Sequence, residues 1–77
     1  MPVMVRFTDA SRRAPERVDG PYDSVRMEFD TLLCLAGGQV VATYPFIEGP
    51  MPAGDECGWA VGDDCQCYSD VEIFAAA

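Results

Sequence analysis

Hydrophobic and polar positions alternate along much of this chain with a period of two, which marks half-buried β-strands rather than amphipathic helices. Val3, Val5 and Phe7 alternate with Met4, Arg6 and Thr8, so a short first strand is expected there. Further on, Val25, Met27, Phe29, Thr31, Leu33 and Leu35 fall on one side of a long strand, and Arg26, Glu28 and Asp30 begin the other. Gly37-Gly38 then reads as a two-residue turn, since both positions adopt positive φ without a Cβ clash. A turn centred there sets Leu35 opposite Val40, Leu33 opposite Ala42, Thr31 opposite Tyr44 and Phe29 opposite Phe46. These pairs share one face, and cross-strand pairs of this kind fix register. Phe29, Leu33 and Tyr44 are therefore expected in the core, while Pro45 weakens the far end of the return strand.

The remaining segments follow from their punctuation. Residues 10–21 are Arg-rich and broken by Pro15, Gly20 and Pro21, which makes them mainly a loop with room for one helical turn at Ser11–Arg17. Residues 48–56 are a Pro/Gly loop. Cys57–Val61 and Cys67–Phe74 read as two short strands around Gly62-Asp63-Asp64, with Val71 and Ile73 on one side of the last and Asp70 and Glu72 on the other. The expectation is one small, mostly β domain over residues 1–77: an antiparallel sheet of four or five strands with little helix. The apolar face of such a sheet must be covered, either by curling into a small barrel or by a second copy in a homodimer.

Composition narrows the function. The chain has 77 residues, of which 49% are apolar, so it folds, but a core of this size is marginal. It contains no His, Lys or Asn. Imidazole bases, Ser-His pairs, Schiff-base lysines and P-loop lysines are thereby excluded, and no enzyme activity or cofactor is expected. The adjacent acids Asp55-Glu56 and Asp63-Asp64 point to opposite faces if extended, so neither makes a ready acid–base dyad. Met1–Phe7 lacks the apolar core of a signal peptide, and Leu32–Gly38 is too short to span a bilayer. A soluble, cytoplasmic chain is expected (the host cytoplasm, if a phage encodes it), with no membrane partner.

Four cysteines leave three readings open. Cys34, Cys57, Cys65 and Cys67 match a tetrahedral zinc site by number, although a single CxC and two isolated positions are not the usual paired knuckles. A disulfide from Cys57 to Cys65 or Cys67 across the Gly62 turn is the second, and would not persist in a reducing cytosol. Free thiols, with Cys34 packed as a small apolar residue, are the third.

Charge is the most uneven feature. All five Arg (Arg6, Arg12, Arg13, Arg17 and Arg26) precede residue 27, where they meet four acids; residues 27–77 hold nine acids and no cation. The formal net charge is −8. Such a chain binds nucleic acid poorly, because duplex affinity comes from neutralising phosphates. It suits a basic macromolecular surface, where carboxylates take the place of phosphates opposite Arg and Lys. The candidate contact set is Asp55, Glu56, Asp63, Asp64, Asp70 and Glu72, with Trp59 or Tyr68 as an aromatic anchor. In size and charge, though through no motif or particular stretch, the chain resembles the small inhibitors that phages encode against host defence, such as anti-CRISPR proteins. That resemblance implies a nucleic-acid mimic blocking a larger complex. A four-cysteine zinc adaptor and an accessory subunit pairing through its sheet are the alternatives, and a solvated, merely solubilising surface is the plainest account of the charge.

Overall fold

A computed structural model describes residues 1–10, 15–48, 57–62 and 66–76, with the backbone alone at Cys57. The fold is mostly β and, among the described residues, contains no helix. Its strands are β1 (Val3–Thr8), β2 (Arg17–Tyr22), β3 (Ser24–Glu28), β4 (Thr31–Ala36), β5 (Gln39–Glu48), β6 (Cys57–Val61), β7 (Gln66–Tyr68) and β8 (Asp70–Ala75). They form two antiparallel sheets, ordered β2-β1-β8 and β3-β4-β5-β6-β7, which do not close into a barrel.

The chain crosses between the sheets at two corners, each made by a single short polar residue: Asp23 between β2 and β3, and Ser69 between β7 and β8. Both corners are tied down. The Asp23 amide donates to the Leu35 carbonyl (2.8 Å), and its carboxylate accepts from the Gly37 amide (2.7 Å). The Ser69 hydroxyl oxygen accepts from the Ala10 amide (2.8 Å). Residues of β2 and β8 thus leave the five-stranded sheet and flank β1 on the other layer.

The core lies between the layers. Val5 and Phe7, fully buried on β1, face Leu32, Cys34, Tyr44, Trp59, Val61 and Tyr68 from the larger sheet. The Phe7 ring meets Tyr44 edge-on at 4.8 Å and tilts against Tyr68 at 5.8 Å; Phe46 meets Trp59 edge-on at 5.1 Å. These offset arrangements suit the quadrupoles of the rings. A hydrogen-bonded chain also bridges the layers: the Tyr44 hydroxyl donates to Asp19 Oδ2 (2.6 Å) and lies 2.8 Å from the Tyr22 hydroxyl, while Arg17 Nε donates to Asp19 Oδ1 (3.0 Å). Every polar group in that chain has a partner, which is the condition for keeping it at the border of an apolar core.

Several expectations need correcting. The long strand over 25–35 does not exist: the chain reverses at Phe29-Asp30, so β3 and β4 pair as a hairpin with Glu28 opposite Thr31. The reversal flips the phase of the pattern, and Leu32 and Cys34, not Leu33 and Leu35, face the core. Phe29, expected in the core, is 94% exposed. Leu33 is half-buried on the outer face; Tyr44 is buried as expected. The Gly37-Gly38 turn is present, with φ of 60° and 77°. Leu35 pairs with Val40, but a bulge at Val41 then moves the register by one, setting Cys34 opposite Ala42, Leu33 opposite Thr43 and Thr31 opposite Pro45. The stretch read as a loop over 10–21 contributes β2, which tolerates Pro21 because it lies at a sheet edge. The strand expected over 67–74 breaks at Ser69, where the chain changes sheets. One apolar face of the larger sheet is covered by the smaller sheet of the same chain, and the two do not close into a barrel.

Candidate functional site

Of the residues singled out from the sequence as a contact set, Trp59, Tyr68, Asp70 and Glu72 fall within the described residues. Trp59 and Tyr68, opposite each other on β6 and β7, are core residues exposed by only 8% and 5%. Both side chains pack within the core between the sheets. Asp70 and Glu72 are exposed on β8, but both are engaged: Asp70 accepts from the Ser69 hydroxyl (3.0 Å), and Glu72 pairs with Arg6 Nη1. Asp55, Glu56, Asp63 and Asp64 lie outside the described residues.

The strand order decides which charges are neutralised within the chain. Arg6, on the central strand of the smaller sheet, holds Glu16 (2.8 Å) and Glu72, and its guanidinium sits 4.4 Å from the Phe74 ring centroid. Arg17 holds Asp19, and Arg26 reaches Glu28 at 3.4 Å. Each of these Arg therefore faces a carboxylate of its own chain. Strands β4 to β7 contain no basic residue at all. The unevenness along the sequence becomes a polarity in space, with cations confined to β1, β2 and β3 among the described residues. Asp30 and Glu48 make no ion pair there.

The cysteines separate as well. Cys34 is fully buried in the main core, and its thiol is pushed up to about 11, first by burial and then by the charge of Asp19. Cys67 is buried with Ala60 in a small second cluster on the opposite face of the same sheet. One tetrahedral ion cannot bind both, so a site made of Cys34, Cys57, Cys65 and Cys67 together does not fit this sheet. Among the described residues no three potential ligands gather to hold a metal. The proposed disulfides involve Cys65 and the Cys57 side chain, which lie outside the described residues.

What the sequence pattern missed is the tip of the β3–β4 hairpin. Its loop residues are Phe29 and Asp30, and Phe29 has φ of 56°, the left-handed region. Positive φ at the first of two loop positions is where glycine normally sits in a II′ hairpin turn. A bulky residue there is a genuine outlier. Met27, just before, is also half-exposed at 53%. The tip is nonetheless held in place, since the Phe46 amide donates to the Asp30 carbonyl at 2.7 Å. The one clue available in the sequence was the pair of acids enclosing Phe29, Glu28 and Asp30, which is an unusual setting for a core aromatic.

Comparison with known proteins assigns no class, for no family model, curated protein or solved structure matches the chain. Among the described residues, no helix is long and apolar enough to cross a membrane.

Proposed function

We propose that this chain is a small acidic inhibitor that binds and blocks a basic surface of a larger protein or nucleoprotein complex. The observation that supports it best is the fate of the cations. Arg6, Arg17 and Arg26 are each held by carboxylates of the chain itself, and β4 to β7 carry none. A chain with a net charge of −8, whose Arg among the described residues are already engaged, repels nucleic acid and attracts Arg and Lys. Carboxylates meet guanidinium groups much as phosphates do, so the chain competes with nucleic acid for the same groove.

The test is displacement. A labelled DNA duplex is bound to an oligo-arginine peptide, and the chain is titrated in while anisotropy is followed. Release of the duplex at low salt, suppressed at high salt where charges are screened, is expected. No release at low salt refutes the reading. In that event the outer face of the larger sheet, where Leu33 and Leu35 are half-buried and Val40 and Ile47 exposed, favours an accessory subunit that pairs through its sheet.

A further inference from the structure

The β3–β4 tip combines features that have no return inside the molecule. Phe29 occupies a backbone conformation that costs an L-residue free energy, yet its ring is 94% exposed. Among the described residues no other ring is paired with it. Its two neighbours along the chain, Glu28 and Asp30, are both acidic, so the exposed ring is flanked in sequence by carboxylates. Asp30 makes no side-chain interaction among the described residues, and the Glu28–Arg26 pair is long and solvated, with both side chains more than half exposed. A pair of that kind is readily exchanged for a better one.

We infer that this tip is the anchor with which the chain grips its basic partner, and that the group it takes is an arginine guanidinium presented by a protein surface. The inference rests on the inhibitor reading above and assigns the contact within it. Charge complementarity selects the occupant. An apolar patch on a partner would cover Phe29 only by desolvating Glu28 and Asp30, which is costly without a counter-charge. A guanidinium stacks its plane on the ring while its N–H groups reach the carboxylates on either side. A lysine ammonium makes the charge contact without the planar stacking, so arginine is preferred. The hydrogen bond from the Phe46 amide to the Asp30 carbonyl fixes the tip before binding, which limits the ordering cost.

The anchor is not one of the contact residues expected from the sequence. Trp59 and Tyr68 are enclosed in the core, whereas Phe29 is an aromatic that is both exposed and bracketed by acids.

The experiment measures binding of labelled oligo-arginine and oligo-lysine of equal length to the wild type, Phe29→Ala and Phe29→Tyr, at low and high salt. Trp59 fluorescence on urea titration confirms that each variant is folded. The wild type is expected to bind both peptides salt-dependently and to prefer oligo-arginine. Phe29→Ala should lose about two- to fivefold on oligo-arginine and much less on oligo-lysine, while Phe29→Tyr keeps the preference. If the wild type binds but Phe29→Ala retains full affinity and preference, the anchor is refuted and the acidic-surface reading stands. If the wild type binds neither peptide at low salt, the acidic-surface reading fails and the anchor falls with it.

Discussion

Replacing Phe29 by glycine should stabilise the protein, although it deletes an aromatic side chain. The backbone at Phe29 sits at φ of 56°, where Cβ crowding costs an L-residue about 1–2 kcal/mol. Glycine removes that cost but gains freedom in the unfolded chain, which offsets about 0.5–1 kcal/mol. The ring itself contributes almost nothing to compare with these, because at 94% exposure it has little apolar area to lose. The balance is a gain of roughly 0–1.5 kcal/mol, centred a little below 1. For a domain of this size, that raises Tm by a few degrees, at about 4–8 °C per kcal/mol. Phe29→Ala keeps the Cβ and with it the strain, so it should be close to neutral.

The assay is urea unfolding followed by the single buried Trp59, with thermal melting alongside. The denaturant midpoint should rise at unchanged slope, since the same surface is exposed on unfolding. A core position predicts the opposite. Truncating a buried Phe typically costs about 3–5 kcal/mol, as much as a small domain has to lose. A midpoint that falls in Phe29→Gly by the equivalent of about 1 kcal/mol or more would show that the ring is packed and the strain argument wrong.

Other perturbations test the core and its polar bridge. Burial and, after it, the hydrogen bond to Asp19 raise the Tyr44 phenol above its ordinary value of 10. A group whose folded value is raised contributes fully below its unfolded value, so this stability is lost as pH climbs past about 10. The Cys34 thiol, also raised, acts in the same direction. Tyr44→Phe should therefore lose about 1 kcal/mol at neutral pH yet shift alkaline unfolding to higher pH, as read by circular dichroism; an alkaline midpoint that moves down instead would refute the assignment. At Gly58 a Cβ would meet the Cys67 sulfur and lie 2.9 Å from the Tyr68 carbonyl oxygen, which is backbone and cannot turn aside. Gly58→Ala should cost about 1–3 kcal/mol in chemical denaturation, and a neutral result would show that β6 and β7 are more loosely joined than their register implies.

How much of this was legible depended on whether only one face of a segment is apolar. In β1, Val5 and Phe7 alternate with Arg6 and Thr8, so period and orientation are both readable, and the strand lies where the pattern puts it. The Gly37-Gly38 turn is legible for a different reason, because only glycine takes two consecutive positive φ values at no cost. Thr31–Ala36, in contrast, is apolar on both faces. Leu33 and Leu35 continue the odd-numbered run from Val25, while Leu32 and Cys34 offer an equally apolar alternative, and nothing local decides between them. The decision is made by the reversal at Phe29-Asp30, and that turn carries neither Gly, Pro nor Asn. The bulge at Val41 is hidden in the same way within the run Val40-Val41-Ala42. Trp59 and Tyr68 are near acids in sequence, which suggests anchors, but strand pairing turns them toward Phe46 and Phe7.

The topology leaves the aromatic tip, rather than the last strand, beside a carboxylate with no counter-charge among the described residues. Had the chain continued straight after Tyr68, Asp70 and Glu72 would extend the larger sheet and add to its negative field. The corner at Ser69 instead carries β8 to the far side of β1, where Arg6 lies opposite Glu72 in the ladder. Glu16 approaches the same guanidinium, so Glu72 is engaged within the smaller sheet. The other corner, at Asp23, carries the chain from β2 into β3 at the edge of the larger sheet, where Arg26 reaches only Glu28, two residues along the same strand. Asp30, just past that strand, has no counter-charge among the described residues, and the ring between the two acids is almost wholly in solvent. A partner's guanidinium would supply both the missing charge and the missing contact. Reversing Asp30 to Lys should therefore weaken oligo-arginine binding more than reversing Glu72, whose carboxylate Arg6 already engages. Equal losses from the two reversals would mean that only the summed field matters and that the tip has no special part.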